Sequence, residues 1–231
     1  TMWLQAALFL LVSYLLGTLP TAYIVARLAK GIDIRRYGSG SVSASNVQTH
    51  VGLRAFALVG AVDFFKGVLP VAVGLWLGLD LWVVMAAGVA AIIGHDWSPY
   101  LGFPYLGFVG GRGIGPSMGM IILVAPVEVV VASLIFLAGR KHKYDAFWCI
   151  LGIALLPVLA LLLRRPAPVV VAAAAILLLT ILKRLEANRL PVAAGQWRQV
   201  LLTRLLFDRD IWDKEAWIQR QPEAREERRG T

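Results

Sequence analysis

Apolar residues run along the chain in six blocks, at roughly 2–29, 51–79, 81–94, 113–138, 146–163 and 167–182. A helix needs about 20 residues to cross a hydrocarbon core, and each block reaches that length or comes near it. The pattern predicts an all-α integral membrane protein. The block at 113–138 carries Pro126 at its middle. As one span it sets Arg112 and the cluster Arg140, Lys141 and Lys143 on opposite sides of the membrane. As two short helices turning at Pro126, it brings both ends to one face. The turn also makes Lys30, Arg35, Arg36, Lys183 and Arg184 cytoplasmic, leaving Arg164 and Arg165 outside in "RRPAP". The positive-inside tendency favours that arrangement. The expectation is seven transmembrane helices, some short or broken, with the N-terminus outside and the C-terminus cytoplasmic; six spans is the alternative.

Composition agrees with the pattern. Of 231 residues, 58% are hydrophobic, and the mean hydropathy is +0.71. The net charge of +9 sits beside the ends of apolar blocks. It therefore points to a membrane surface, with no nucleic acid as partner. The single cysteine, Cys149, allows no disulfide within the chain. The first block is too long for a cleaved signal, and no basic stretch precedes it.

Beyond Arg184 the character changes, dividing the chain into a membrane-embedded part, 1–190, and a tail, 191–231. In "WRQVLLTRLLFDRDIWDKEAWIQRQ" apolar residues recur at near-helical spacing with arginines between them. This predicts a helix on the cytoplasmic membrane surface, anchored by Trp197, Trp212 and Trp217. A dimerisation helix or a solvated appendage is the alternative. The final "PEAREERRGT" is expected to be disordered. No internal repeat is present, and the sequence leaves the oligomeric state open.

Three polar segments interrupt the apolar pattern. The first is "GSGSVSASNV", in which Gly38 and Gly40 free the backbone to form an anion nest. Ser39, Ser41, Ser43, Ser45 and Asn46 add side-chain donors there. The second is "VDFFKGVLP", with Asp63 and Lys66 inside an apolar block. Two readings fit it: a mutual i,i+3 pair, or a cation facing an internal polar cavity. The third runs from His95 and Asp96 to "GGRG", where Gly110, Gly111, Arg112 and Gly113 lead into an apolar helix. Glycine amides at a helix N-terminus, with a bidentate guanidinium beside them, suit a phosphate. The segment lacks the G-x-x-x-x-G-K-[ST] pattern, so nucleotide hydrolysis is not implied. No metal-ligand spacing and no Ser/His/acid triad occurs in the sequence.

These motifs, in this order, resemble those of the bacterial acyl-phosphate-dependent glycerol-3-phosphate acyltransferases, the PlsY family. "YLLGTLPTAYIVARL" is similar to that family's first helix, and "GSGSVSASNV" to its G-S-G-N-x-G-A-T-N loop. "DFFKGVLPV" resembles its D-x-x-K-G-x-x-P segment, and "GH" followed by "GGRG" its G-H…F-x-G-G-K-G loop. The likeness covers roughly residues 8–190. It implies acyl transfer from acyl phosphate to the 1-hydroxyl of glycerol 3-phosphate at a cytoplasmic site of a bacterial plasma membrane protein. No cofactor is implied. By the same resemblance Ser39 binds substrate phosphate, Asn46 shapes its loop and Lys66 supplies charge. Gly110, Gly111 and Gly113 cradle a phosphate, and His95 supports the pocket.

The departures are specific. Ser41, Ser43 and Ser45 replace the family's asparagine, glycine and threonine; Thr49 stands where a basic residue is usual, and Arg112 replaces a lysine. Aligned through "NRL" (188–190), the family's His-x-x-Asn falls on Lys183 and Glu186. Three function classes fit: an acyltransferase, a diverged paralogue that binds a phospholipid precursor, and a transporter of a phosphorylated solute.

Overall fold

The computed structural model describes residues 2–102, 110–139, 144–186 and 196–220. The basic cluster at 140–143, the "NRL" motif and the last ten residues lie outside the described residues. Among the described residues all regular structure is helical. The elements are α1 (Met2–Gly17), α2 (Thr21–Lys30), a 3-10 turn (Ile34–Arg36), α3 (Ala44–His50), α4 (Leu53–Trp76) and α5 (Leu81–Asp96). They continue with α6 (Pro99–Gly102), α7 (Ile114–Ile122), α8 (Pro126–Gly139), α9 (Asp145–Leu162), α10 (Ala167–Leu185), α11 (Trp197–Phe207) and α12 (Lys214–Ile218).

Among the described residues, five stretches are long and apolar enough to cross a membrane: Trp3–Lys30, Leu53–Trp76, Leu81–Leu101, Asp145–Leu162 and Ala167–Leu185. This is a multi-pass membrane protein. The 113–138 block divides at its proline, which opens α8, where its missing N–H leaves no broken bond. With nine residues, α7 rises only about 14 Å.

Lipid gives helices little hydrophobic reason to associate, so close packing must hold them. Gly17 lies against the Ala91 carbonyl and Gly94 against the Tyr14 carbonyl, which seats α1 on α5 with no room for a side chain. Gly67 and Gly119 seat α4 on α7 in the same way, against the carbonyls of Pro116 and Phe64. Val71, Val84, Ile92, Met120, Leu156 and Ile176 fill the space between α4, α5, α7, α9 and α10.

The first apolar block departs from a continuous helix. Pro20 has no N–H to donate and pushes Leu19 out of the helical region, so α1 stops at Gly17 and α2 restarts at Thr21. Inside a membrane the released carbonyls need donors. Lys66 Nζ donates to the Leu19 carbonyl at 2.7 Å, and Ser98 Oγ to the Thr18 carbonyl at 2.6 Å. At the far end of the bundle, Arg165 forms a two-pronged pair with Glu128 at 2.7 and 2.9 Å.

The tail also differs from expectation. Arg184 donates to the Leu205 carbonyl at 2.8 Å, and Arg204 to the Leu185 carbonyl at 3.0 Å. These bonds dock α11 onto the bundle, because the last carbonyls of α10 need donors and the tail's arginine supplies one. Trp197 and Trp212 are exposed, whereas Trp217 is only 4% exposed and packs inward. It is not an interfacial anchor.

Candidate functional site

The serine–glycine loop leaves the 3-10 turn and enters α3. Gly38 and Gly40 adopt φ of 51° and 69°, a left-handed conformation that side chains resist. Asn46 Nδ2 fixes the loop from behind, donating to the carbonyls of Ile34, Tyr37 and Ser41 at 3.2, 3.0 and 3.0 Å. That amide is engaged, so Asn46 holds the loop's shape and is not placed to grip a substrate. Ser39 Oγ accepts the Ser41 N–H at 3.3 Å. The Ser41 hydroxyl is buried with no hydrogen-bond partner among the described residues.

The glycine loop packs against the end of α5. Gly111 donates its N–H to the His95 carbonyl at 3.1 Å, and any side chain there would overlap the His95 imidazole. Gly110 lies against the carbonyls of His95 and Asp96, and Gly113 faces the Asp96 carboxylate. Asp96 is 1% exposed, and neither carboxylate oxygen has a hydrogen-bond partner among the described residues. The two loops meet where the Val42 N–H donates to the Gly110 carbonyl at 3.1 Å.

Beneath this junction lies a narrow cavity. Thr18, Pro20, Val42, Asp63, His95, Ser98, Gly110 and Gly111 are among the residues on its wall. His95 Nδ1 lies 3.7 Å from Asp63 Oδ1. Lys66 is absent from that wall. It is 2% exposed, and its ammonium binds Asp63 at 2.7 Å and the Leu19 carbonyl at 2.7 Å. Of the two readings left open by the sequence, the i,i+3 pair is the one formed, with the cation aimed at the α1–α2 break.

Arg112 and Lys183 come together beside the glycine loop. Arg112 Nη1 donates to the Lys183 carbonyl at 3.2 Å, and its Nε to Asp208 Oδ2 at 3.0 Å. Lys183 Nζ binds Glu186 Oε2 at 3.1 Å and lies 5.0 Å from the centre of the Trp97 ring. Trp97 Nε1 donates to the same Glu186 oxygen at 2.8 Å. Glu186 thus serves as a holder for Lys183. Among the described residues no three His, Cys, Asp or Glu side chains group as metal ligands.

Sequence reasoning missed several of these groups. Thr18 and Ser98 enter the cavity wall only through the α1–α2 break, and Pro20 within the first apolar block was the available signal. Trp97 and Asp208 join the site through contacts 89 and 96 residues away in the chain, for which no local pattern exists.

The fold and site define a helical multi-pass membrane protein with glycine-rich loops, hydroxyls and two cations gathered at one end. Comparison with known proteins narrows that class. The family description "Glycerol-3-phosphate acyltransferase" matches residues 7–191, and the chain belongs to that family. Glycerol-3-phosphate acyltransferase 4 of Dehalococcoides mccartyi is 34% identical over 221 residues, covering 93% of each chain. Glycerol-3-phosphate acyltransferase 2 of Moorella thermoacetica is 41% identical over 168 residues, covering 72% of this chain and 82% of the relative. A crystal structure of PlsY (YgiH), an integral membrane glycerol 3-phosphate acyltransferase, in its glycerol 3-phosphate form superposes with a TM-score of 0.71. It shares 28% identity, over 79% of this chain and 89% of that one. The lysophosphatidic acid form of the same protein gives 0.70.

Proposed function

We propose that this protein transfers a fatty acyl group from acyl phosphate to the 1-hydroxyl of sn-glycerol 3-phosphate, releasing lysophosphatidic acid and inorganic phosphate. The observation that carries this reading is the junction of the two glycine-bearing loops, tied by Val42 and Gly110 over the His95–Asp63 wall. Serine hydroxyls and glycine amides gathered beside a helix start are donors suited to a phosphate. The glycerol 3-phosphate and lysophosphatidic acid forms of the related solved protein supply the chemistry of substrate and product.

Acyl phosphate is a mixed anhydride and already activated, so positioning and charge stabilisation suffice. The glycerol hydroxyl oxygen attacks the acyl carbonyl carbon. The bond from that carbon to the phosphate oxygen breaks, its electron pair leaves with phosphate, and the hydroxyl proton ends on phosphate oxygen. Ser39, Ser41 and the amide of Gly38 serve one phosphate, while Gly40 closes the turn by donating its N–H to the Tyr37 carbonyl at 2.9 Å. Gly110 and Gly113, with Arg112 and Lys183 beside them, serve the charge that develops on the other, and Gly111 fixes the loop on the His95 carbonyl. His95 forms the wall between them. Lys66 acts through the α1–α2 break, and Asp63 through Lys66 and His95.

Seven crossings follow if α1 with α2 counts as one and α4, α5, α7, α8, α9 and α10 as the rest, α7 and α8 being short. The N-terminus lies outside, and the site faces the cytoplasm of a bacterial plasma membrane. Arg35 bonds the Leu101 carbonyl beside the cavity, and Arg112 bonds the Lys183 carbonyl, so these cations share one end, as the positive-inside tendency requires.

The test is purified protein in lipid, supplied with acyl phosphate and glycerol 3-phosphate, with lysophosphatidic acid measured. Product above background is expected. None, with phosphate binding retained, would replace this reading with a precursor-binding paralogue, which the changes at Ser41, Thr49, Lys183 and Glu186 would then explain.

A further inference from the structure

The tail beyond residue 191, outside the family match, touches both phosphate loops. Residues 208–220 form a strap across them. Asp208 Oδ2 accepts from Arg112 Nε at 3.0 Å, and the Arg220 carbonyl accepts from the Gly38 N–H at 2.7 Å. In both contacts a strap oxygen lies on a donor that the phosphate reading assigns to substrate. The strap is seated by specific contacts. Arg204 pairs with Asp210 at 2.5 Å and Lys214 with Asp145 at 2.9 Å. Trp217 is buried, with the Arg220 guanidinium 4.5 Å from its ring centre. The Ile218 carbonyl lies where a side chain on Gly38 would point.

We propose that the strap is an internal stand-in for substrate phosphate: its oxygens hold one anion donor in each loop, the Gly38 N–H and Arg112 Nε, and an incoming phosphate must displace them. This rests on the reading of the loops as phosphate sites. A carboxylate on an arginine and a carbonyl on a glycine N–H reproduce the two kinds of contact a phosphate would make, charge-assisted and neutral. The strap therefore lowers apparent phosphate affinity and keeps the empty site's cation paired. Asp208 is also the αL residue that ends α11, at φ 55°. Asparagine tolerates that conformation as aspartate does, so Asp208→Asn removes the charge while keeping the turn.

The experiment is calorimetric titration of inorganic phosphate into the purified full-length chain in lipid nanodiscs, wild type against Asp208→Asn and Trp217→Ala. At least a fivefold tighter dissociation constant in Asp208→Asn is expected, with a gain in Trp217→Ala as the strap is unseated. Equal or weaker binding in Asp208→Asn overturns the proposal and makes Asp208 a positioning residue for Arg112. Binding in none of the three proteins overturns both this proposal and the phosphate reading. Hydrogen exchange adds a second readout: saturating phosphate should raise exchange across 208–220, and unchanged exchange overturns displacement.

Discussion

Replacing Lys66 with alanine removes two bonds at once. The Asp63 carboxylate, 5% exposed, loses the ammonium 2.7 Å away, and the Leu19 carbonyl loses its donor at the helix break. Stranding one member of a buried ion pair costs about 3–5 kcal/mol. An orphaned buried carbonyl costs about 1–3 kcal/mol, and the two losses overlap because they share one ammonium. A total of about 4 kcal/mol is expected. The double change Lys66→Met with Asp63→Asn removes both charges and leaves chiefly the carbonyl term, about 1–3 kcal/mol. It should therefore be more stable than Lys66→Ala alone. Eight tryptophans make intrinsic fluorescence a direct probe of thermal unfolding in detergent. Turnover measured beside it separates two roles. If Lys66 acts through the break, the double variant recovers part of the activity with its stability. A double variant no more stable than Lys66→Ala would refute the pairing argument; a stable but inactive one would return Lys66 to substrate contact.

The other predictions follow from the same geometry. Ser39→Ala and Arg112→Ala should each lower turnover at least roughly tenfold, about 1.4 kcal/mol of barrier, measured as lysophosphatidic acid released; wild-type rates would take them out of the site. Gly111→Ala places a methyl group on the His95 imidazole and should lower turnover at least about tenfold, while an unaltered rate would show that the ring can move aside. Burial pushes the His50 imidazole, which packs against Tyr37, below its usual value of 6.5. The neutral ring's contribution to stability is then complete above pH 6.5 and is lost as pH falls toward the lowered folded value. A melting-temperature series from pH 7.5 downward should show the decline, and His50→Gln should flatten it.

Much of the architecture was written in apolar block lengths and in Pro126, because crossing a bilayer forces long uninterrupted helices. The turns at Gly38 and Gly40 were legible too, since their left-handed φ is one that side chains resist. Lys66 shows where reading along the chain stops. A lysine and an aspartate three apart signal a pair or a catalytic cation equally well, and only the Leu19 carbonyl, 47 residues away, decides. Asn46 is similar: its three carbonyl partners come from loop curvature set by two left-handed glycines. Amphipathic spacing in the tail describes a face without naming what covers it. Arg204 turned out to serve α10 and Trp217 to pack inward, while the predicted surface helix had lipid as its partner.

Glu128 and Arg165 have a consequence for how the helices stay in register. The acid stands in the first turn of α8 and the base between α9 and α10, so their two-pronged pair clips the start of one helix to the turn joining the next two. A clip at helix ends resists sliding along the helix axes, which apolar side chains facing lipid do little to prevent.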